Sequence, residues 1–322
     1  MLVEQRKVEG VRCPCPVCGD VPVRRHRVVR AGAVAVCGAC GTWYRAPRPT
    51  RDELTGIYDR QYYDSWGIDQ DEGIALTTKA ATFLPVLRHL EVLSGSRGGP
   101  RRLLDVGAAT GALLLLARDR GCDPFAVELN PFAADLLRQR LGSDHVFEGE
   151  LTACTFAPRS FDWITMTDLI EHVLHVDQTL SAAARLLRDN GILCITTPRV
   201  DSLSRRLLGR NWLHFKREHI QYFTASGLRQ VLHRAGFPQV HVSPHRKFLT
   251  YDYLSRQLHV YSHWALTPAV AGVGRLLPRS LRSVAVPYQC GEMLVTARPG
   301  IGKTVHVRSA PATRVVEGAT RP

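Results

Sequence analysis

Between residues 101 and 298, short apolar runs alternate with longer stretches whose apolar positions recur every three or four residues. Short runs rich in Leu, Val, Ile, Phe and Thr suit strands, and the longer periodic stretches suit helices with one buried face. The strands expected are Leu103 to Val106, Phe125 to Glu128, Val146 to Glu148, Trp163 to Thr167, Ile192 to Thr197, Val240 to Ser243 and Glu292 to Ala297. Helices are expected from about Ala112 to Arg120, Pro131 to Leu141, Val176 to Arg188 and Ala225 to Ala235. This alternation predicts an α/β fold: a seven-stranded parallel sheet with helices on both faces.

Upstream, Thr50-Arg-Asp-Glu53 is a capping-box pattern that should start a helix carrying Leu54, Ile57 and Tyr58 on one face. Tyr62, Tyr63 and Trp66 follow, suited either to packing the N-terminal segment onto the main domain or to covering a site mouth. A second helix, about Ile74 to Leu93, ends in the linker Ser94-Gly-Ser-Arg-Gly-Gly-Pro100. Residues 249–289 read as helical and amphipathic, with Leu276, Leu277, Leu281 and Val284 interleaved with Arg275, Arg279 and Arg282. A lid or simple packing is favoured there over an interfacial membrane helix. Residues 299–322 lack periodicity, and disorder is expected.

Composition narrows the class. The 322 residues are 45% hydrophobic, ordinary for a globular chain, with no apolar run long enough to cross a bilayer. The opening MLVEQRKVEGVRC lacks the apolar stretch of a secretory signal, so a cytoplasmic protein is expected. The net charge of +13 raises the question of a polyanionic partner. Only five residues are lysine, however, and the arginines are scattered, which favours a diffusely basic surface over a dedicated polyanion site.

Five of the nine cysteines fall within residues 13–40. Cys15-Pro-Val-Cys18-Gly and Cys37-Gly-Ala-Cys40-Gly form two close pairs separated by a loop, the spacing that gathers four thiolates around a structural Zn2+. Cys13 could replace Cys15, but the two-residue spacing prefers Cys15. A closed set of four thiolates leaves the metal no open position, so it should hold structure and carry no hydrolysis. The expected organisation is a zinc ribbon (1–48), a helical connector (49–100), the α/β domain (101–298, with 249–289 as insertion or lid) and a tail (299–322).

The first strand and its turn, Leu103-Leu-Asp105-Val-Gly107-Ala-Ala109-Thr-Gly111, carry the candidate chemistry. Open α/β sheets bind ligands beyond the carboxyl ends of their strands, where a glycine turn lets backbone approach closely. The glycines are four apart and so miss the dinucleotide fingerprint, and Gly302-Lys303-Thr304 lacks the first glycine of a phosphate loop. DVGAATG, Glu128 ending the second strand, EGEL and SFDWITMTDLIEHV together resemble the Rossmann-like class I S-adenosylmethionine-dependent methyltransferases, over about residues 101–298. The resemblance implies S-adenosyl-L-methionine as cofactor, with Asp105, Gly107, Ala109 and Gly111 around its methionine moiety. It also implies Glu128 on the ribose hydroxyls, Glu150 and Leu151 bordering the adenine, and Asp168 beside the methionine end.

Asp168-Leu-Ile-Glu171-His172-Val and Trp212 to Thr224 are similar to the subgroup related to quinone-biosynthesis O-methyltransferases. With the CxxCG ribbon they also resemble bacterial methyltransferases of sugar, polysaccharide and natural-product pathways. Methyl transfer is an in-line displacement in which the protein aligns the nucleophile and takes its proton, so His172 and His219 are candidate general bases. The Asp/Asn-Pro-Pro-Tyr element of exocyclic base N-methylation and a Pro-Cys nucleophile for pyrimidines are both absent after the fourth strand. An O-methyl acceptor of small-molecule or sugar type is preferred. Two rivals remain: an RNA methyltransferase using the ribbon and basic surface, and a non-catalytic zinc-ribbon interaction protein.

Overall fold

A computed structural model describes residues 13–19, 21–56, 72–96, 98–260 and 266–300. Ile57, Tyr58, Tyr62, Tyr63, Trp66 and the tail beyond residue 300 lie outside the described residues. In chain order the strands are β1 (Val23–Val29), β2 (Gly32–Cys37), β3 (Trp43–Arg45), β4 (Arg102–Val106), β5 (Asp123–Glu128) and β6 (Val146–Glu148). They continue with β7 (Phe161–Thr167), β8 (Leu187–Pro198), β9 (Gln221–Tyr222), β10 (Gln239–Leu249) and β11 (Val286–Arg298).

Seven strands form one sheet in the order β10-β11-β8-β7-β4-β5-β6, and all seven expected strands belong to it. β6, β5, β4, β7 and β8 run parallel as expected, but the sheet is mixed, because β11 is antiparallel to both β8 and β10. Strands covered on both faces read as continuous apolar runs, which is why the central strands were legible. Successive residues point to opposite faces, so neighbours in sequence enter different cores. Leu103, Trp163 and Cys194 pack with Leu113, Leu114 and Leu137 from helices Ala112–Asp119 and Pro131–Leu141, and with Leu87 and Leu90 from helix Glu72–Ser94. Leu104, Ile164 and Ile195 pack on the other face with Leu180 and Leu228 from helices Val176–Leu186 and Ala225–Arg234.

Two stretches differ from expectation. Helix Val176–Leu186 stops two residues before Arg188, because Leu187 pairs with Phe161 to begin β8. The β10–β11 hairpin is longer than expected, extending to the pair Leu249↔Val286, so residues 286–289 are strand and not helix. β10 is the edge of the sheet, alternates only partly buried positions and contains Pro244, which an edge strand tolerates. Its pairing with β11, and not apolar alternation, keeps it extended. Between the arms the described residues are helical at Tyr251–Val260, Leu266–Leu276 and Arg279–Arg282.

The N-terminal strands form a second sheet in the order β1-β2-β3-β9, so its last strand comes from residues far downstream. Trp43 pairs with Tyr222, and the sheet closes over an aromatic cluster of Trp43, Trp212, Phe215 and Tyr222. Trp212 and Tyr222 are fully buried, and Phe215 stacks on Trp43 at 5.9 Å between centroids. Thr224 joins ribbon to sheet: its hydroxyl donates to the Cys40 carbonyl at 2.8 Å and accepts the Gly227 amide at 2.9 Å as the cap of helix Ala225–Arg234.

Gly227 exists for close approach, since a Cβ there would lie 2.6 Å from the buried Thr42 hydroxyl and 3.1 Å from that of Thr224. Alanine gains about 1 kcal/mol of helix propensity over glycine, but overpacking costs about 1–3 kcal/mol. Gly227→Ala is therefore expected to lower unfolding stability in urea denaturation. A stability equal to or above wild type would mean that the ribbon is not pressed against this helix.

Candidate functional site

The chain leaves β4 through Gly107, whose amide donates to the Val127 carbonyl at 2.8 Å and ties the turn to β5. Gly107 has φ +70, and a Cβ there would approach Leu169 Cδ1 to 2.8 Å, so this turn requires glycine on both backbone and steric grounds. At the end of β5, Glu128 is 4% exposed and its carboxylate is fixed by two backbone amides. Ala109 donates to Oε2 at 2.8 Å and Asn130 to Oε1 at 2.9 Å. The Asn130 side chain in turn caps helix Pro131–Leu141, accepting the Ala133 amide at 3.0 Å. Each carboxylate oxygen offers two lone pairs, so Glu128 keeps accepting capacity toward a ligand diol.

These elements border a cleft of about 410 Å³ beyond the carboxyl ends of β4, β5 and β7, within the size range of small-molecule sites. Of the residues expected at the site, Gly107, Ala109, Glu128, Glu150, Leu151, Asp168 and His172 line it. Asp105, Gly111 and His219 are not among its lining residues. Gly111 instead caps the helix that starts at Ala112, in the left-handed conformation at φ 81. Asp105 lies beneath the turn, 2% exposed, and accepts a 2.6 Å hydrogen bond from Thr165. Burial pushes its carboxyl up to about 7.

Sequence patterns did not reveal the part of the connector that borders the cleft. Thr50 and Glu53 form the expected reciprocal capping box, and the short helix Arg51–Thr55 places Arg51 and Leu54 on the lining. Arg51 pairs with Glu150 across the mouth. The capping box announced the helix, but no local signal gave its docking place. Lys79 also lines the cleft, from the helix after the connector.

At the β7 end, Asp168 (φ 52) accepts a 2.6 Å hydrogen bond from Lys247 of β10, which also lies 3.4 Å from the buried Glu292 of β11. His172 receives its orientation from the Glu218 carbonyl, 3.0 Å from Nδ1. Desolvation pushes His172 down to about 4 and His219 well down, so both imidazoles are neutral near pH 7. The His219 ring stands edge-on to His172 at 4.7 Å, and its Nδ1 is buried without a hydrogen-bond partner. Burial, followed by the charge of Asp168, raises the Glu171 carboxyl above the usual range. Ligating atoms of Glu171, His172 and His219 lie within 4.8 Å of one another, an arrangement able to relay a proton or hold a divalent cation.

In the ribbon, the sulfurs of Cys15, Cys18, Cys37 and Cys40 lie within 4.8 Å of one another. Zinc–sulfur bonds of about 2.3 Å in a tetrahedron separate the sulfurs by about 3.8 Å, and Cys15 and Cys40 are 3.7 Å apart. The Val17 amide donates to the Cys15 sulfur at 3.4 Å and the Cys40 amide to the Cys37 sulfur at 3.5 Å, as knuckle turns do. The hydrogen bond to Cys40, then burial, pushes the Cys15 thiol up, while the same bond holds Cys40 down. Four thiolates this close repel unless a cation compensates, so the donor set fits structural zinc. Cys13 is not in this group and donates to the Arg45 carbonyl at 3.8 Å.

Comparison with known proteins agrees with this geometry. A family model described as a methyltransferase domain matches residues 80–242, half of the chain. The chain belongs to that family. Its fold is that of the class I S-adenosylmethionine-dependent methyltransferases. Among curated relatives of this methyltransferase-family chain, a malonyl-[acyl-carrier protein] O-methyltransferase of Enterobacter lignolyticus is 28% identical over 102 residues, covering 32% of this chain and 41% of the relative. A mitochondrial ubiquinone biosynthesis O-methyltransferase of Schizosaccharomyces pombe is 25% identical over 150 residues, covering 45% and 51%. The chain thus spans about half or less of the length of the curated relatives it matches. In fold it resembles phosphoethanolamine N-methyltransferase 2 of Haemonchus contortus in complex with S-adenosyl-L-methionine, at 17% identity and a TM-score of 0.50, over 77% of this chain and 60% of that one.

The raised Asp105 carboxyl has a measurable consequence. The native state holds the Asp105 proton up to about pH 7, whereas an unfolded aspartate releases it near 3.8. The associated stability is therefore fully present below about pH 4 and is lost as pH rises through about 7. Asp105→Asn should unfold in urea with a flatter stability–pH curve than wild type across this window. Parallel curves would show that Asp105 ionises normally.

Proposed function

We propose that this protein transfers a methyl group from S-adenosyl-L-methionine to an oxygen of a small-molecule acceptor. The observation that carries the reading is Glu128, fixed by two backbone amides at the edge of a cleft that the adjoining Gly107 turn also lines. When bound, S-adenosylmethionine supplies an electrophilic methyl on a cationic sulfur. Glu128 offers two oriented oxygens to the vicinal ribose hydroxyls, Glu150 and Leu151 border the adenine, and Asp168 lies toward the sulfonium end. Asp105 supports the turn from below, and Gly111 acts by starting the next helix.

His172 is proposed as the base, because it lines the cleft, is neutral near pH 7 and has Nδ1 already engaged by the Glu218 carbonyl. Its Nε2 would receive the acceptor's hydroxyl proton as the oxygen attacks the methyl carbon. His219, behind His172, would position that ring. Relatives named for methylating malonyl-[acyl-carrier protein] and for ubiquinone biosynthesis support an oxygen acceptor. Cys15, Cys18, Cys37 and Cys40 are proposed to hold Zn2+ that shapes the ribbon and takes no part in the chemistry. We assign residues 1–48 to this ribbon, 49–100 to the connector and 101–298 to the catalytic domain.

Titration calorimetry with S-adenosylmethionine tests the cofactor site. Wild type should bind, Glu128→Ala should bind at least about tenfold more weakly through loss of charge-assisted hydrogen bonds, and His172→Ala should bind as wild type. With an acceptor in hand, His172→Ala should lower kcat about 10²-fold or more. A folded wild type that binds no cofactor would refute the enzyme reading.

Metal analysis tests the ribbon separately. The purified protein should carry one zinc per chain, retained in Cys13→Ser and lost, with lowered stability, in Cys15→Ser. Loss from Cys13→Ser with retention in Cys15→Ser would exchange the two ligands.

A further inference from the structure

Eleven large apolar side chains are exposed among the described residues, and five of them, Val273, Leu276, Leu281, Val284 and Val286, fall within fourteen residues. Single exposed apolar residues are ordinary, but a concentration of this kind marks a contact surface. From Leu266 to Val286 the chain carries Arg275, Arg279 and Arg282 and no acidic residue. Arg275 and Arg279 are exposed. Arg282 turns inward, donating to the Leu277 carbonyl with its guanidinium over the Tyr251 ring. Leu203 and Leu207, exposed at 70% and 77% beside Arg205 and Arg206, extend the same character on helix Leu203–Leu208. That helix is anchored to β11 by Ser204, which donates to the Cys290 carbonyl at 2.7 Å.

The location follows from strand register. Pro198, the last residue of β8, pairs with Glu292, so residues 286–291 of β11 run on past the carboxyl ends of the parallel strands. The patch therefore belongs to the same end of the sheet as the cofactor cleft.

We propose that this face docks on an anionic lipid bilayer. Apolar side chains interleaved with arginine enter the boundary between headgroups and acyl chains while the guanidinium groups meet lipid phosphates. No helix among the described residues is long and apolar enough to cross a membrane, so the association is peripheral. A second copy of the chain is a poorer occupant. A twofold contact through this face would bring the arginines of both copies into one interface, with no acid in the segment to pair with them.

Flotation of the full-length, zinc-replete protein tests the proposal, using vesicles of phosphatidylcholine alone and of equal parts phosphatidylcholine and phosphatidylglycerol. Wild type should float with the anionic vesicles only and release as salt rises. Each basic side chain contributes roughly a fivefold gain in partitioning, so Arg275→Glu with Arg279→Glu should reduce binding at least about twenty-fold. Leu276→Asp with Leu281→Asp should abolish it. All four positions are exposed, and S-adenosylmethionine affinity and thermal unfolding should stay at wild-type values, which separates this outcome from failure of the cofactor reading. Absence of wild-type binding to anionic vesicles would overturn the proposal, as would binding that both double variants retain. A lipid-free dimer that Leu276→Asp with Leu281→Asp makes monomeric would assign the face to a second copy instead.

Discussion

The architecture turns on one reversal of direction in the sheet. From β4 the chain moves outward to β5 and β6, then returns across β4 to place β7 on its other side. Loops leaving β4 and β7 diverge at that point, and two adjacent parallel strands cannot close the gap between them with side chains alone. The crevice is therefore a topological product. The sequence decides only what lines it: a turn with no side chain at Gly107, a fixed carboxylate at Glu128 and a charged residue in a left-handed conformation at Asp168.

Polar groups around the crevice divide by how their burial is offset. Glu128 keeps two amide donors, and Asp168 keeps the Lys247 ammonium, so both carboxylates have electrostatic support. Asp105 and Glu171 are each held by a threonine hydroxyl, a neutral donor, and burial shifts both toward the protonated form. The imidazoles of His172 and His219 avoid the cost of a buried charge by remaining neutral. Carboxyls shifted toward the protonated form thus stand near one held ionised by a lysine, and such perturbed groups are associated with functional sites.

Much of this was readable from residue order. The central strands were visible because burial on both faces leaves short apolar runs, as in Ile192–Ile195. The Cys pairs and the Thr50–Glu53 capping box were visible because their chemistry works over two or three residues. What escaped depends on distant partners. The outer length of β10 comes from pairing with β11, the two residues of β9 are strand through pairing with β3, and Arg51 borders the cleft where it meets the distant Glu150. Asp105 sits on a recognisable motif, yet its place under the turn follows from the direction of β4, which alternation alone does not orient.

The β3–β9 pairing also dictates a sequence of events during translation. Trp43 cannot meet Tyr222 until five of the seven strands of the main sheet have been made, so the ribbon, made before that sheet, is completed only after most of it. Bringing together residues this far apart carries a large loop-closure entropy, which favourable contacts repay only late in folding. The nascent ribbon can gather its four thiolates early, but its aromatic face stays uncovered until Trp212, Phe215 and Tyr222 leave the ribosome. Thiol clustering and sheet completion are thereby separated in time, and the newborn chain spends that interval with an open strand edge.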